Sequence, residues 1–242
     1  HGLFWRGQDG RVTGWMKQRL QRLLAHDINL LAYHLPLDAH AEWGNNAQLA
    51  QRLGVSVLPG AAGRFGEQSL GWMGTVPAMT LADWGQRVQG LVQRDITCVG
   101  DANQPIQRVA LCTGGAQSYF EAAIVAGADV FVTGEISEPQ AHYAREMGVA
   151  YIACGHHASE RYGVQAVGEA MAQQLGIEPD EARVLRDDYF ARFGGVQDYL
   201  RGVVDEARQR GFTETLLGLV AQRLVRRLCP ECREPVQADG SL

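Results

Sequence analysis

Three apolar runs decide the fold of this chain: RVALCTGG at residues 108–115, ADVFVTGE at 128–135 and VAYIACGHH at 149–157. Each run has the length of a strand and ends near glycine, and the two segments between the runs have a helical pattern of apolar residues. The order therefore predicts a βαβαβ unit. Strands that are apolar on both faces and joined by helices form a parallel sheet with right-handed crossovers. We predict an α/β fold with a mostly parallel sheet and helices on both faces.

Four further elements are predicted upstream of residue 108, and residues 55–79, which are rich in glycine, are predicted to form loops or short strands. A strand is expected from residue 28 because the run INLLAYHL is apolar until it breaks at Pro36. Thr80 and Asp83 have the spacing of a capping box, which indicates the start of a helix. The predicted elements are an amphipathic helix over 14–26, the strand before Pro36, a helix over 44–54 and a helix over 80–93.

Polar residues follow the predicted strands, and their positions suggest one shared site. In a parallel sheet ligands bind beyond the carboxyl ends of the strands. The residues that would meet at this edge are His34, Asp38, Gly114, Gly115, Glu135, His156 and Glu160. The glycine pair suits a phosphate held by backbone N–H groups, although a tight turn explains the same pair.

The stretch GHHASERYG at 155–163 carries the most specific signal at this edge. His156 and Glu160 are four residues apart, so on a helix both project from one face about one turn apart. Imidazole and carboxylate directed at one point form half of a metal site. The alternative is an ordinary solvated helix start in which Ser159 and Glu160 favour the first turn. The meeting of several such groups at one edge favours the metal site.

Composition sets limits on the partners of this protein. The chain has 242 residues, of which 46% are hydrophobic and 20% are charged, as in globular proteins. The net charge of −5 provides no general attraction to nucleic acid or to an anionic membrane. We therefore expect a small-molecule or protein partner. The sequence has no long apolar run and no signal sequence, so we expect a cytoplasmic protein. The number of cysteines is odd, which suits reduced thiols in such a compartment.

Five stretches together resemble the Nif-three-like family, whose members are also called type 2 homologues of GTP cyclohydrolase I. The resemblance covers residues 1 to about 174, and its order and spacing are specific. The stretches are HGLFW at 1–5, INLLAYHLPLDAHAEWGNNAQLA at 28–50, ALCTGGAQSYFEAA at 110–123, GADVFVTGEISE at 127–138 and GHHASERYG at 155–163.

The resemblance implies a dinuclear metal centre in an α/β fold that assembles as a homo-oligomer. The implied ligands are His1, Asp38, His156 and Glu160, with Asp38 between the two ions. Glu135, His157 and His34 would surround them, and Glu135 or His157 would serve as general acid or base. Zinc, iron, manganese and nickel all suit such ligands.

The implied activity is metal-dependent hydrolysis of a small molecule such as a purine nucleotide. The alternative is a metal-binding scaffold or interaction protein without turnover.

Both ends of the chain depart from the family pattern. Family members have a strand–helix–strand unit and a histidine pair at the start, where this chain has His1, so an impaired second metal position is expected. Residues 175–218 resemble a fragment of family A DNA polymerases. Residues 219–242, with Cys229 and Cys232, resemble a fragment of type II secretion and type IV pilus ATPases. We predict a composite chain: a metal-binding domain over 1–174, a helical segment over 175–218 and a helix with a CxxC tail over 219–242. A nucleic-acid role for this tail is a weaker hypothesis.

Overall fold

The computed structural model describes residues 3–4, 10–30 and 32–175. The chain divides into two compact units, one formed by Pro36–Ala182 and the other by His1–Leu35 together with Arg183–Leu242. In the latter unit, helix α1 spans Gly14–Ala25, which confirms the helix predicted over 14–26. The polymerase-like and ATPase-like segments predicted after residue 175 lie outside the described residues.

The unit Pro36–Ala182 contains the predicted α/β domain. Its helices in the described part are α2 (His34–Ala39, which begins two residues before the unit), α3 (Asn45–Leu53), α4 (Leu81–Val92), α5 (Phe120–Val125), α6 (Glu138–Met147) and α7 (His156–Leu175). Its strands are β1 (Ser56–Val57), β2 (Arg64–Phe65), β3 (Gly71–Thr80), β4 (Thr97–Val99), β5 (Pro105–Leu111), β6 (Val130–Thr133) and β7 (Ala150–Ala153). Among the described residues, none of the helices offers the apolar stretch that a membrane crossing requires.

One seven-stranded sheet forms the centre of this unit, in the order β1-β3-β5-β6-β7-β4, with β2 also paired to β3. Strands β5, β6 and β7 are parallel, as predicted from the three apolar runs. All the other pairings are antiparallel. The α/β class is confirmed, but the sheet is mixed rather than mostly parallel. The prediction missed the antiparallel pairings because β3 and β4 were not recognised as strands in the sequence.

Strand β3 is ten residues long, whereas residues 55–79 were predicted to hold only loops or short strands. The pairing of β3 with β5 shifts register between Thr75 and Met79, and Pro77 lies within this irregularity. A proline cannot donate to a sheet ladder, so an interruption accommodates it. Gly74 is also needed, because a Cβ there would lie 2.7 Å from the carbonyl oxygen of Ser56 on β1. The glycines and the proline that obscured the strand are thus parts of its pairing.

The strand predicted before Pro36 is wrong. Residues 28–30 and 32–33 have no regular secondary structure, and helix α2 runs through Pro36 from His34 to Ala39. Proline is compatible with the first turn of a helix, where the backbone N–H has no intrahelical partner. The break in the apolar pattern at Pro36 therefore marks a helix start instead of a strand end.

The predicted ends of helices α3 and α4 are confirmed. Helix α3 ends at Gly54, which has the left-handed conformation (φ 72°) that favours glycine. The Thr80 side chain caps α4 by accepting a hydrogen bond from the Asp83 backbone N–H at 3.1 Å. These two helix ends could be predicted from the sequence because caps depend on residues within one turn of each other.

The core has two layers, one on each face of the sheet. Alternate residues of β6 belong to opposite layers: Val130 and Val132 face one side, and Phe131 faces the other. The first layer packs against α3, α4 and α7 through residues such as Leu49 and Trp84. The second packs against α5 and α6 through residues that include Phe120 and Ala144. Helices therefore cover both faces of the sheet, as predicted.

The aromatic residues of the second layer surround Phe131, which is fully buried. Its ring centroid lies 5.8 Å from that of Phe120, 5.5 Å from that of Tyr151 and 6.2 Å from that of Phe65. Such contacts join β6 to α5, β7 and β2 in one cluster. The cluster stabilises the strand on which the central pairings of the parallel sheet depend.

We expect Phe131→Ala to lower the free energy of unfolding by about 3–5 kcal/mol, because it removes a fully buried ring and leaves a cavity. Denaturant unfolding measures this change. Val125→Ala is the control, since Val125 is 89% exposed and its truncation should change stability by no more than about 0.5 kcal/mol. Equal losses in the two variants would contradict the central position of Phe131 in the core.

Candidate metal centre

The loops after β5, β6 and β7 are joined to one another at the carboxyl edge of the parallel strands. The Gly134 N–H donates to the Gly114 carbonyl at 2.9 Å, and the Gly155 N–H donates to the Gly134 carbonyl at 2.9 Å. A Cβ at Gly134 would lie 2.5 Å from the Gly114 oxygen and 2.6 Å from the His156 Cα. Glycine at this position therefore allows the loops to reach each other and the start of α7.

Gly114 lies against the carboxylate of Glu160, which is 4% exposed. Gly114 has φ +77°, and a Cβ there would overlap Glu160 Oε1. Its backbone N–H donates to Ser159 Oγ at 3.0 Å, and this hydroxyl donates to the His156 carbonyl at 2.9 Å. The first loop of the parallel unit is thus fixed to the first turn of α7, close to its two predicted ligands.

Helix α2 carries two further donor groups, His34 and Asp38, which are one turn apart on its surface. One ligand atom each from His34, Asp38 and Glu160 lies within 4.8 Å of the others. Asp38 is 8% exposed, so two buried carboxylates face each other at this point. Imidazole nitrogen and carboxylate oxygen are the ligands that zinc and other first-row divalent ions accept. The donor set fits a divalent cation.

The charges around the nearby Cys112 thiol support this location. Burial, and then the negative charges of Asp38 and Glu160, raise the pKa of Cys112 to about 12. Both carboxylates therefore direct their field into the same region between α2, α7 and the end of β5. Two like charges buried together are unfavourable unless a cation or a proton compensates them.

His156 lies between two carboxylates. Its Nδ1 is 2.6 Å from Glu135 Oε1, and its Nε2 is 3.3 Å from Glu160 Oε2. The hydrogen bond with Glu160 is the largest cause that raises the pKa of His156 to about 9, and Glu135 acts in the same direction against partial desolvation.

The same geometry fits a shared cation. Two ligand atoms of one zinc ion lie roughly 3.0–3.5 Å apart, given bond lengths of about 2.1 Å. A neutral His156 that donates from Nδ1 to Glu135 directs its Nε2 lone pair toward Glu160, which is the usual carboxylate–histidine–metal arrangement.

Two adjacent asparagines at the start of α3 support the surroundings of the site, and both are 1% exposed. Asn45 donates to Asp38 Oδ1 at 2.6 Å and accepts from the Gly163 N–H at 2.9 Å. Asn46 donates to the Leu70 carbonyl at 2.7 Å and accepts from the Thr113 N–H at 2.8 Å. No local pattern in the sequence indicates these contacts, because most partners of the two asparagines are distant along the chain.

The structure brings together most of the residues that were predicted for this site. Asp38, His156, Glu160 and Glu135 all lie at the expected edge of the sheet. His157 is exposed in the first turn of α7, and His1 lies outside the described residues. His34 was predicted in the surroundings of the ligands and falls within the ligand group itself. His34 and Asp38 are four residues apart, a spacing that places two ligands on one face of a helix. This indication was missed because a strand was predicted before Pro36.

Fold and site together define an α/β protein with a candidate divalent-metal centre at the carboxyl edge of three parallel strands. Residues 1–184 match the family model described as Duf34/NIF3 (NGG1p interacting factor 3). The chain belongs to the DUF34/NIF3 family, which confirms the resemblance seen in the sequence.

Relatives from bacteria match the same region. Proteins named GTP cyclohydrolase 1 type 2 homolog from Neisseria meningitidis serogroup B and from Pseudomonas aeruginosa are each 49% identical over 179 residues. In both cases the match covers 74% of this chain and 70% of the relative. A solved structure described as protein ybgI, of unknown function, is 41% identical with a TM-score of 0.62, and the match covers 70% of this chain and 67% of that one.

A second family model, DNA polymerase family A, matches residues 161–229. This match confirms the polymerase-like fragment that was predicted after about residue 175, and it starts earlier, within α7. It covers a minority of the chain and includes neither Asp38 nor His156. The resemblance of residues 219–242 to secretion ATPases stays a prediction.

We expect Gly114→Ala to abolish or strongly weaken metal binding, because the new Cβ would displace the Glu160 carboxylate. Gly60→Ala is the matched control: Gly60 also has positive φ (+58°), but a Cβ there meets nothing within 4 Å. Both variants carry a backbone strain of about 1–2 kcal/mol. Titration with Zn²⁺ measures the difference, and equal affinities would show that Glu160 does not take part in binding.

Proposed function

We propose that this protein is a divalent-metal-dependent hydrolase with a dinuclear metal centre. The observation that carries the proposal is the meeting of the buried carboxylates of Asp38 and Glu160 with the His34 imidazole, within reach of His156. Names of relatives that contain GTP cyclohydrolase 1 type 2 support a reaction of the hydrolase class.

In this proposal Asp38, His156 and Glu160 hold the ions, as the family resemblance implied, and His34 joins them. Asp38 is the proposed bridging carboxylate, because it is buried and because its neighbour in the cluster is a second carboxylate. His1, the remaining predicted ligand, stays part of the proposal on the resemblance alone. Zinc, iron, manganese and nickel are all compatible with these nitrogen and oxygen donors.

Two divalent ions bound here would lower the pKa of a water molecule. They would also polarise the substrate bond whose carbon or phosphorus atom this water attacks. The residues of the chain supply orientation and proton transfer. Glu135 Oε1 lies 2.6 Å from His156 Nδ1, a contact that fixes the orientation of the ring. Glu135 is also partly accessible, with 45% of its side chain exposed, which suits the proposed role of general base.

His157 is the proposed general acid. It is exposed in the first turn of α7, next to His156, and would be accessible to a substrate bound at this edge of the sheet. Histidine is the side chain most often used as a general acid, which suits the proposed proton transfer from His157 to a leaving group. The proposed substrate is a small molecule such as a purine nucleotide, and the proposed assembly is a homo-oligomer.

Elemental analysis of the purified chain, followed by hydrolysis assays on purine nucleotides with each candidate metal, tests the function. We expect stoichiometric metal in the wild type and its loss in His156→Ala. Asp38→Asn keeps the shape of the side chain but removes its charge, so it should lower metal content and reduce hydrolysis by at least 100-fold. Glu121→Gln removes an exposed carboxylate on α5 and should change neither quantity.

The outcomes separate the alternatives. Metal content that is unchanged in His156→Ala would reject the site. Metal binding that depends on Asp38 and His156, with no hydrolysis of any nucleotide tested, would favour the non-catalytic scaffold. Binding of two ions per wild-type chain would support the dinuclear centre, whereas binding of a single ion would contradict it.

A further inference from the structure

Asn45 links the carboxylate of Asp38 to the backbone of helix α7, although it is not itself among the proposed ligands. Its side-chain N–H donates to Asp38 Oδ1 at 2.6 Å, and its Oδ1 accepts from the Gly163 backbone N–H at 2.9 Å. A backbone N–H can only donate, so Asn45 must present its oxygen to Gly163 and its NH₂ group to Asp38. The orientation of the amide is therefore determined by its two partners.

The contact at Gly163 places Asn45 one turn from Glu160 on helix α7. Glu160 and Gly163 are three residues apart, so any displacement of this turn moves the Glu160 carboxylate as well. Asn45 begins α3, Asp38 lies on α2, and Glu160 lies on α7. One buried side chain thus joins the three helices that carry Asn45, Asp38 and Glu160.

Gly163 is required for this contact. A Cβ at Gly163 would lie 2.5 Å from Asn45 Oδ1 and 3.0 Å from both the Asn45 side-chain carbon and backbone nitrogen. Alanine at this position would therefore push Asn45 away, although glycine inside a helix is otherwise less favourable than alanine. Gly168, five residues later on the same helix, meets nothing within 4 Å. The close approach is specific to Gly163.

We propose that Asn45, held by Gly163, is a positioning residue that orients Asp38 and sets its separation from Glu160 for cation binding. This inference rests on the proposed metal centre. A carboxylate ligand whose oxygen already accepts a fixed hydrogen bond loses less rotational freedom when it binds an ion. Removal of such supporting partners typically weakens metal affinity by about 10–100-fold.

The test measures Zn²⁺ affinity of the full-length chain in competition with a chelator, at a temperature where each variant is folded. Asn45→Ala should weaken binding by about 10–100-fold. Gly163→Ala should weaken it to a similar extent, because it displaces the same amide. The double variant should bind no more weakly than Asn45→Ala alone, since both substitutions act through one contact. Visible absorption of the Co²⁺-loaded chain should shift in both single variants.

Two controls separate positioning from general destabilisation. Gly168→Ala places the same methyl group at an open position of α7 and should leave affinity and the Co²⁺ spectrum unchanged. Thr80→Ala removes the side-chain cap of α4, at the end of the sheet opposite the candidate site. It should lower the unfolding temperature, while Zn²⁺ affinity stays within about threefold.

Each outcome either supports the inference or overturns it. Affinity that is retained in Asn45→Ala while Asp38→Asn loses binding would reject the role of Asn45 and leave the metal centre intact. The inference would also be rejected if Gly163→Ala lowered Zn²⁺ affinity by the same factor in the wild type and in Asn45→Ala. The effect of Gly163 on binding would then not depend on Asn45. A wild-type chain that binds no Zn²⁺ would reject both the inference and the proposed function. If Asn45→Ala does not fold, the comparison of Gly163→Ala with Gly168→Ala decides.

Discussion

The burial of two carboxylates at one point is the constraint around which this site is organised. Asp38 and Glu160 are 8% and 4% exposed, and each raises the pKa of the Cys112 thiol. Like charges in a region of low dielectric repel each other strongly, so a folded chain that keeps them together needs a compensating cation or proton. Imidazole is a common ligand of divalent cations, and the imidazoles of His34 and His156 both lie beside these carboxylates.

The parallel pairing of β5, β6 and β7 is what brings the far parts of the chain to this point. Parallel strands end at the same edge, and hydrogen bonds between Gly114, Gly134 and Gly155 continue the contact beyond the strands. Because Gly114, Gly134 and Gly155 lack side chains, α7 can begin directly against these loops. The arrangement places His156 between Glu135 and Glu160, so the orientation of its ring depends on the loop after β6 and on α7 at once.

Local patterns in the sequence predicted the elements whose determinants are local. The alternation of apolar residues in β6 and the cap at Thr80 depend on neighbours within a few residues, and both are confirmed. Strand β3 was missed because its glycine and proline are explained only by the partners β1 and β5. The start of helix α2 was predicted to be the end of a strand, because a short apolar run before proline is compatible with either structure.

By itself, the sequence determined the α/β class, the parallel centre of the sheet and the edge at which Glu135, His156 and Glu160 would gather. Strand-length apolar runs and the four-residue spacing of a helix are sufficient for that, since both are short-range properties of the chain. Only the tertiary structure placed His34 in the candidate ligand group with Asp38 and Glu160 and showed that Asn45 joins Asp38 to α7. The reason is that contacts between residues over a hundred positions apart, such as Asn45 with Gly163, depend on how the helices pack.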